Sequence, residues 1–406
     1  MSEAPLSVEE ALERLLAGAR CVGEVETVPT MAATGRVLAR AQTSSLNVPP
    51  LDNTSMDGYA VRAADCASGV ARLRVAQRIP AGAVGKPLEP GTAARIFTGA
   101  PIPPGADAVV MQEQAEAAGD DVIVKHAPKP GEWIRRAGED IRAGSTILEA
   151  GARLRAQEIG LAASVGIASL PVFRRVRVAL FSTGNELVMP GEPLPEGAIY
   201  NSNRFTLIGL LQTLGCEVAD LGIVPDALES TRAALREAAG ISDLIITSGG
   251  VSVGDEDHVK AAVDAEGRLD LWRIAIKPGR PLAYGAVRRA AGAEASFIGL
   301  PGNPVSSFVT FMLFVRPFVL RLQGAVEIGA KSYAARADFD WPKPDARREF
   351  LRVRFNREGG LDLFPNQSSG VLTSTVWGDG LLDNPAKHAI KRGDTVRFLP
   401  FAELLH

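Results

Sequence analysis

The spacing of apolar and polar residues differs from one part of this chain to another, and it is most regular in the middle part. From about residue 177 to 325, apolar runs of strand length alternate with longer amphipathic stretches of helical length. Strands are predicted at 176–181, 217–223, 243–247 and 295–299, and helices at 203–214, at 227–238 and from about 257. This alternation is typical of a doubly wound, mostly parallel sheet with helices on both faces.

The flanking parts have shorter strand-like runs and more turns. Residues 45–138 are rich in glycine and proline and predict an inserted β-rich domain. Residues 1–44 and 139–176 combine a helix capped by Ser7, extended segments and a short helix near 156–163, which predicts an elongated N-terminal/linker domain. Residues 326–406 predict a C-terminal β-barrel-like domain. The predicted fold class is therefore multidomain α/β, with the sheet domain at 177–325.

Composition narrows the function classes. The chain has 406 residues, of which 46% are hydrophobic, and this fits several folded domains. A net charge of −3 without a long basic tract argues against a nucleic-acid partner. The three cysteines are scattered and form no CxxC pair, as expected for a cytoplasmic protein without a zinc site. The apolar stretch 305–322 is interrupted by Arg316 and Pro317, so we expect a buried helix and no membrane partner.

The loop at 248–257 is the strongest chemical signal in the sequence. It follows a predicted buried strand and has three glycines and two serines in its first seven positions. Glycines let the backbone lie against a ligand, where N–H groups and hydroxyls can hold an oxyanion. The acidic triplet at 255–257 can hold a hard cation such as Mg²⁺ through oxygen ligands. Together these features indicate phosphate chemistry.

Polar or glycine-rich segments follow each of the four predicted strands. They lie at 182–186, 225–226, 248–257 and 300–304. In doubly wound sheets, ligands bind beyond the carboxyl ends of the strands, where such loops meet. The sequence therefore predicts one ligand site at this edge of the sheet.

Each candidate residue also has a purely structural interpretation. Asn303 and Asp226 can serve as helix caps, and Glu186 can pair with a surface cation. Lys277 and Arg280 lie in a Pro-Gly turn and can simply be solvated. The residues alone leave these alternatives open.

Seven motifs, in order along essentially the whole chain, resemble those of one family. They are NTSMDGYA at 53–60, IFTGA at 96–100, GEDI at 138–141, STGNEL at 182–187, TSGGVSVG at 247–254, IKPGRP at 276–281 and GLPGNPV at 299–305. The set resembles the molybdopterin molybdenumtransferases, bacterial relatives of the gephyrin E domain. The resemblance implies insertion of molybdate into the dithiolene of adenylylated molybdopterin, with release of AMP, formation of molybdenum cofactor and a requirement for Mg²⁺.

The resemblance also implies the functional residues. The catalytic set is Asp57, Thr98, Asp140, Glu186, Asp226 and Asp257, with Asp226 and Asp257 as metal ligands. The substrate-binding set is Ser248, Gly249, Gly250, Ser252, Gly254, Lys277, Arg280, Pro301, Gly302, Asn303, Arg348 and Ser369. At two positions the chain departs from the family pattern, because Asn185 stands where aspartate is frequent and Arg280 where lysine is common.

The residue types suit the implied chemistry. Molybdate is a tetrahedral dianion that Lys277, Arg280 or Arg348 can hold by charge-assisted hydrogen bonds. The adenylate phosphate would lie on the backbone of Gly249 and Gly250, and Asp57 or Glu186 could supply protons. Mg²⁺ would act as a Lewis acid and template.

Such proteins are elongated homodimers with the active site at the subunit interface. The α/β domain of one subunit faces the inserted domain of the other, which would account for Asp57, Thr98 and Asp140 outside the α/β region. Contact with the molybdopterin adenylyltransferase is a further expectation. Two alternatives remain open: an adenylyltransferase or nucleotide hydrolase of the related α/β fold, and a non-catalytic binding scaffold.

Overall fold

The strands that precede the β-rich segment pair with strands that follow it. The computed structural model describes residues 5–250, 258–289 and 292–405. The elements up to residue 173 are α1 (Val8–Ala17), β1 (Val25–Pro29), β2 (Gln42–Thr43), β3 (Asn53–Thr54), β4 (Gly58–Val61), β5 (Ala71–Ile79), β6 (Thr92–Ile96), β7 (Ala108–Met111), β8 (Ala115–Ala118), β9 (Asp121–Val124), β10 (Ile134–Arg135), β11 (Thr146–Leu148), α2 (Ala156–Ser164) and β12 (Ser169–Phe173). Pairs β1–β12, β2–β11 and β3–β10 enclose a six-stranded sheet of order β7-β4-β6-β5-β9-β8. The β-rich module is thus inserted between two segments of the chain that pair with each other. Its predicted boundaries at 44 and 138 remain a prediction.

A six-stranded mixed sheet forms the middle of the molecule. Its region contains β13 (Arg177–Thr183), β14 (Leu187–Val188), β15 (Ile199–Tyr200), α3 (Ser202–Thr213), β16 (Glu217–Val224), α4 (Leu228–Ile241), β17 (Leu244–Ser248), α5 (His258–Glu266), β18 (Gly267–Arg273), β19 (Ile276–Lys277), β20 (Pro281–Arg288), β21 (Glu294–Leu300), α6 (Pro304–Thr310) and α7 (Arg316–Leu322). The strand order is β16-β13-β17-β21-β20-β18. The first four strands are parallel, as the sequence predicts, whereas β20 and β18 are antiparallel to their neighbours. These two strands were not predicted from the sequence.

Helices cover both faces of this sheet, because its strands are apolar on both sides. Along β13, Val178 and Leu180 belong to one core, whereas Ala179 and Phe181 belong to another. The first core contains residues of α1, α3, α6 and α7, and the second contains residues of α4 and α5. Successive side chains of a strand point to opposite faces, so a continuous apolar run has to be buried between two helical layers. The doubly wound arrangement follows directly.

A third six-stranded sheet lies in the C-terminal part. Its elements are β22 (Tyr333–Arg336), β23 (Arg348–Phe355), β24 (Leu361–Leu363), α8 (Thr373–Trp377), β25 (Gly380–Asn384), β26 (Thr395–Pro400) and α9 (Phe401–Leu404). The strand order is β19-β23-β25-β26-β22, with β24 also paired to β23. The order is that of an open half-barrel. Strand β19 comes from the middle region and pairs in parallel with β23, Lys277 opposite Glu349. This pairing ties the two parts together beside the site described below.

The segment Pro304–Leu322 is the one described helical segment that is long and apolar enough to cross a membrane. A π-helical turn, Phe311–Val315, joins α6 to α7 within it. Of the most apolar window of this segment, 89% is buried inside the protein, which confirms the prediction of a core helix. The remaining short turns are 3-10 helices at Thr30–Ala32, Ala63–Cys66 and Gln112–Gln114.

Candidate active site

A cleft of about 1080 Å³ lies at the carboxyl ends of the parallel strands. It collects side chains from loops that are far apart in the sequence. The predicted site residues that line it are Glu186, Asp226, Ser248, Gly249, Gly250, Lys277, Arg280, Pro301, Gly302, Asn303 and Ser369. The four strand-end loops therefore meet in one cavity, as the switch-point argument predicts.

The end of β17 forms a tight backbone cradle on the floor of the cleft. Gly249 and Gly250 have φ angles of 88° and 66°, a region that side chains with a Cβ rarely adopt. A Cβ on Gly249 would lie 2.9 Å from the carbonyl oxygen of Thr183, and one on Gly250 would lie 2.6 Å from the Thr183 hydroxyl. Glycine is required here because the neighbouring strand end approaches so closely.

Asn203, in the first turn of α3, links two of the loops through hydrogen bonds. Its side-chain amide donates to the Ser248 hydroxyl at 2.8 Å and to the Gly302 carbonyl oxygen at 2.7 Å. The residue is buried and lines the cleft. The sequence pattern predicts Asn203 at the start of a helix but does not predict this role, because nothing in the local pattern identifies its two partners.

Replacing Asn203 by alanine is expected to lower the free energy of unfolding by about 1–3 kcal/mol, since it leaves the buried Ser248 hydroxyl and the Gly302 carbonyl oxygen without their donor. Urea denaturation followed by circular dichroism measures this change. Asn185→Ala, at an exposed position in a loop of the same cleft, serves as the control and should change stability by less than about 0.5 kcal/mol. Equal stabilities for the two variants would show that the hydrogen bonds of Asn203 do not stabilise the loops.

Two buried polar groups point to a ligand. Thr183 and Asn201 are 4% and 2% exposed, and both line the cleft. The Thr183 hydroxyl and the Asn201 side-chain nitrogen have no hydrogen-bond partner among the described residues. Buried polar groups in folded proteins are nearly always satisfied, so these two are suited to hydrogen-bond a bound molecule. Neither was among the predicted site residues.

The carboxylates of Glu186 and Asp226 both face the cleft. Within the described ranges neither forms an ion pair, so the surface pairing considered for Glu186 is not found. Ala227, not Asp226, is the N-cap of α4, and Asn303 begins α6 without a side-chain cap bond. Asp226 and Asn303 are therefore available to a ligand.

These carboxylates can accommodate a magnesium ion. Mg²⁺ is usually held by one or two carboxylates, with water and substrate phosphates completing its shell. No cluster of three or more His, Cys, Asp or Glu side chains suited to a metal occurs in the part of the chain that the structure describes. Asp226, which faces this anion-binding cleft, fits that mode of binding. Asp257, the second predicted ligand, lies outside the described residues, as do Ser252 and Gly254.

Three cations, Lys277, Arg280 and Arg347, also line the cleft and are called its cationic wall here. Lys277 Nζ lies 3.4 Å from both an Asp345 oxygen and a Glu349 oxygen. Arg347, also in the wall, donates to both oxygens of Asp345 at 2.9 and 3.0 Å and holds the pKa of that carboxyl below its usual range. Arg280 is exposed and makes no ion pair with the residues described here.

The structure places Arg348 elsewhere than predicted. Its guanidinium donates to both oxygens of Asp383, at 2.5 and 2.6 Å, and to Glu9 at 2.5 Å, in a separate cavity. Its neighbour Arg347 lines the cleft instead. Adjacent residues near the start of a strand point to opposite sides, so a shift of one position exchanges the two cavities.

Asp57, Thr98 and Asp140 do not line the cleft of their own chain. Thr98 donates to Asp57 through its hydroxyl at 2.6 Å and its backbone N–H at 2.7 Å, and these bonds hold the pKa of Asp57 below its ordinary value. Asp140 is exposed. The three residues thus belong to the β-rich part and its return segment, and a single chain does not bring them to the other predicted residues.

Comparisons with known proteins agree with this architecture along its whole length. Family models match at residues 6–166 (MoeA N-terminal region, domain I and II), 179–321 (probable molybdopterin binding domain) and 334–401 (MoeA C-terminal region, domain IV). A molybdopterin molybdenumtransferase of Haemophilus influenzae is 39% identical over 411 residues, covering 98% of this chain and 100% of the relative. The chain belongs to the molybdopterin molybdenumtransferase family. The resemblance inferred from the motifs is thereby confirmed.

Other members of the family and a solved structure extend the match. A molybdopterin molybdenumtransferase of Bacillus subtilis is 36% identical, covering 88% of this chain and 84% of the relative. The crystal structure of a molybdopterin biosynthesis moeA protein from Pyrococcus horikoshii superposes with a TM-score of 0.83 at 30% identity, covering 98% of this chain and 100% of that one. These findings confirm a multidomain α/β fold of this type and membership of a family of transferases in molybdenum cofactor biosynthesis.

Proposed function

We propose that the cleft inserts molybdenum from molybdate into the dithiolene of adenylylated molybdopterin, releasing AMP and forming molybdenum cofactor. The observation that carries this proposal is the convergence of four strand-end loops, a glycine cradle, a cationic wall and two carboxylates in one cavity. The relatives are named molybdopterin molybdenumtransferases, and the proposed transfer of molybdenum to a molybdopterin agrees with that name. The cleft therefore offers separate places for a phosphate ester and a second oxyanion.

The adenylate phosphate is assigned to the floor of the cleft. Gly249 and Gly250 bring backbone N–H groups close to a ligand, and the Ser248 hydroxyl, which accepts from Asn203, is left to donate its own proton. Thr183 and Asn201 supply two further polar groups without partners in the described structure. This floor suits a singly charged phosphate ester held mainly by neutral donors.

Molybdate is assigned to the cationic wall. Lys277, Arg280 and Arg347 line it, and Ser369 contributes from the C-terminal part, where its carbonyl oxygen accepts from the N–H of Val305 at 3.0 Å. Arginine forks and a lysine ammonium are suited to a tetrahedral dianion. In this assignment Arg347 takes the place that the family resemblance implies for Arg348.

A magnesium ion would be held by Asp226, together with Asp257. It would supply Lewis-acid stabilisation of the phosphate as AMP departs. Glu186 faces the same cleft and can give a proton to an oxo group that leaves molybdate when the dithiolene sulfurs bind. Gly184 stands directly beside that carboxylate, because a Cβ on it would lie 2.6 Å from a Glu186 oxygen.

A homodimer would complete the site. The Asp57–Thr98 pair and Asp140 lie on the β-rich side of the chain, away from their own cleft, and a second copy can present them to it. The cysteines Cys21, Cys66 and Cys216 are free, which fits a reducing compartment such as the cytoplasm. Contact with the adenylyltransferase that supplies the substrate is part of the same proposal.

The test is AMP release from adenylylated molybdopterin, followed by chromatography. We expect release that depends on both molybdate and Mg²⁺. An adenylyltransferase or nucleotide hydrolase would instead consume ATP without molybdate, and a binding scaffold would release no AMP. Either result would reject the proposed transfer.

A further inference from the structure

Glu349 is fully buried beside the cationic wall, with 0% of its surface exposed. One of its oxygens lies 3.4 Å from Lys277 Nζ. The other accepts from Trp341 Nε1 at 2.8 Å and from the Asn384 side-chain amide at 3.3 Å. The first oxygen therefore faces the lysine, while the second is satisfied by neutral donors.

Burying a carboxylate is costly unless a cation and hydrogen bonds compensate it. Replacing a whole buried ion pair by apolar residues of similar volume is often neutral or stabilising, so the pairing of Glu349 with Lys277 calls for a reason other than folding. Lys277 is the cation in contact with it, and this lysine is still 39% exposed toward the cleft. The carboxylate of Glu349 can thus serve to hold the ammonium of Lys277 in place.

The pairing of β19 with β23 fixes this arrangement. Lys277 and Glu349 are directly opposite each other in the ladder, so the two backbones, as well as the side chains, hold the pair. Asp345 lies 3.4 Å from the same ammonium and also binds Arg347. Two wall cations, Lys277 and Arg347, are therefore matched by two carboxylates, Asp345 and Glu349.

We propose that Glu349 is a positioning residue that holds the ammonium of Lys277 in the wall and limits how tightly the cleft binds a tetrahedral dianion. The inference rests on the proposed use of molybdate. Without Glu349 the net charge of the wall would rise by one, and a dianion would be held more firmly. With Glu349 present, the wall attracts the dianion but binds it weakly enough for transfer to the dithiolene. An oxyanion bound too tightly before reaction raises the barrier for its transfer.

Isothermal titration of the full-length protein with sodium molybdate tests this proposal. Glu349→Gln keeps the shape of the side chain and an acceptor for Trp341 but removes the charge. We expect about tenfold tighter molybdate binding than in the wild type, with unchanged affinity for AMP. Damage to the fold would weaken binding, so a gain of affinity is a result that a merely structural role does not give.

Three further variants make the experiment decisive. Asp345→Asn removes the other carboxylate beside Lys277 and should shift the affinity in the same direction. In a Lys277→Met background the gain from Glu349→Gln should disappear, since the ammonium that it releases is absent. Glu9→Gln, which removes an exposed carboxylate from the Arg348 cavity, is the matched control and should leave molybdate affinity unchanged.

Equal or weaker binding by both carboxylate variants, or no measurable binding by any of the proteins, would overturn the proposal. A wild type that binds molybdate but releases no AMP would reject the proposed transfer, and the affinity shift would still decide the role of Glu349. The two failures are therefore distinguishable.

Discussion

A fall of about 10²–10³-fold in molybdate-dependent AMP release is expected when Asp226 is replaced by asparagine. Asp226 follows β16 directly, faces the cleft and forms no ion pair with any described residue. The change keeps the size of the side chain but removes the charge that a magnesium ion needs. The measurement is initial rate against Mg²⁺ concentration, and the apparent Mg²⁺ requirement should rise together with the loss of rate.

The control for this experiment is Glu217→Gln, at the opposite end of the same strand. Glu217 is exposed and lies 3.7 Å from Arg177, far from the strand-end loops. Its replacement should leave the rate within twofold or so of the wild type, since surface ion pairs contribute little. If Asp226→Asn and Glu217→Gln behave alike, Asp226 has no part in metal binding or turnover.

The second large effect is expected from Lys277→Ala. Removing the ammonium takes away a charged hydrogen bond to molybdate, so the KM for molybdate should rise about 10–100-fold while AMP binding is largely kept. The same change leaves the buried Glu349 without its cation, and the free energy of unfolding should fall by about 1–3 kcal/mol. Steady-state kinetics at varied molybdate and urea denaturation measure the two effects separately.

Two comparisons isolate these effects. Lys260→Ala removes an exposed lysine of α5 that does not line the cleft, and it should change neither quantity. In a Glu349→Gln background the stability cost of Lys277→Ala should largely vanish, because no buried charge is then left unpaired. A molybdate KM that stays constant in Lys277→Ala would remove this lysine from the proposed anion site.

Most of the central sheet could be predicted from local pattern. Strand-length runs rich in apolar residues made β13, β16, β17 and β21 recognisable, as were the helices between them. The antiparallel strands β18, at the edge of the sheet, and β20, beside it, were missed. The pairing of these strands is set by the register across the sheet, which a local pattern does not show. The apolar runs before and after the turn at Lys277 and Arg280 both belong to this sheet.

The site was predictable to the extent that its residues follow strand ends. Glu186, Asp226, Gly249 and Asn303 all reached the common cleft. The role of Asn203 was not predictable, because its hydrogen bonds join a helix to two loops about 45 and 99 positions away in the sequence. Asp257 lies outside the described residues, and its part in metal binding remains a prediction.

The local chemistry of this protein is legible in its amino-acid sequence: apolar runs that have to be buried, glycines where the backbone turns tightly, and carboxylates and cations placed after the strands. Which of these groups share a cavity depends on the tertiary fold. Arg347 and Arg348 are neighbours of identical chemistry, yet one lines the cleft and the other pairs with Asp383. The reason is geometric, because direction along a strand alternates with every residue and its register is set by a partner distant in the chain.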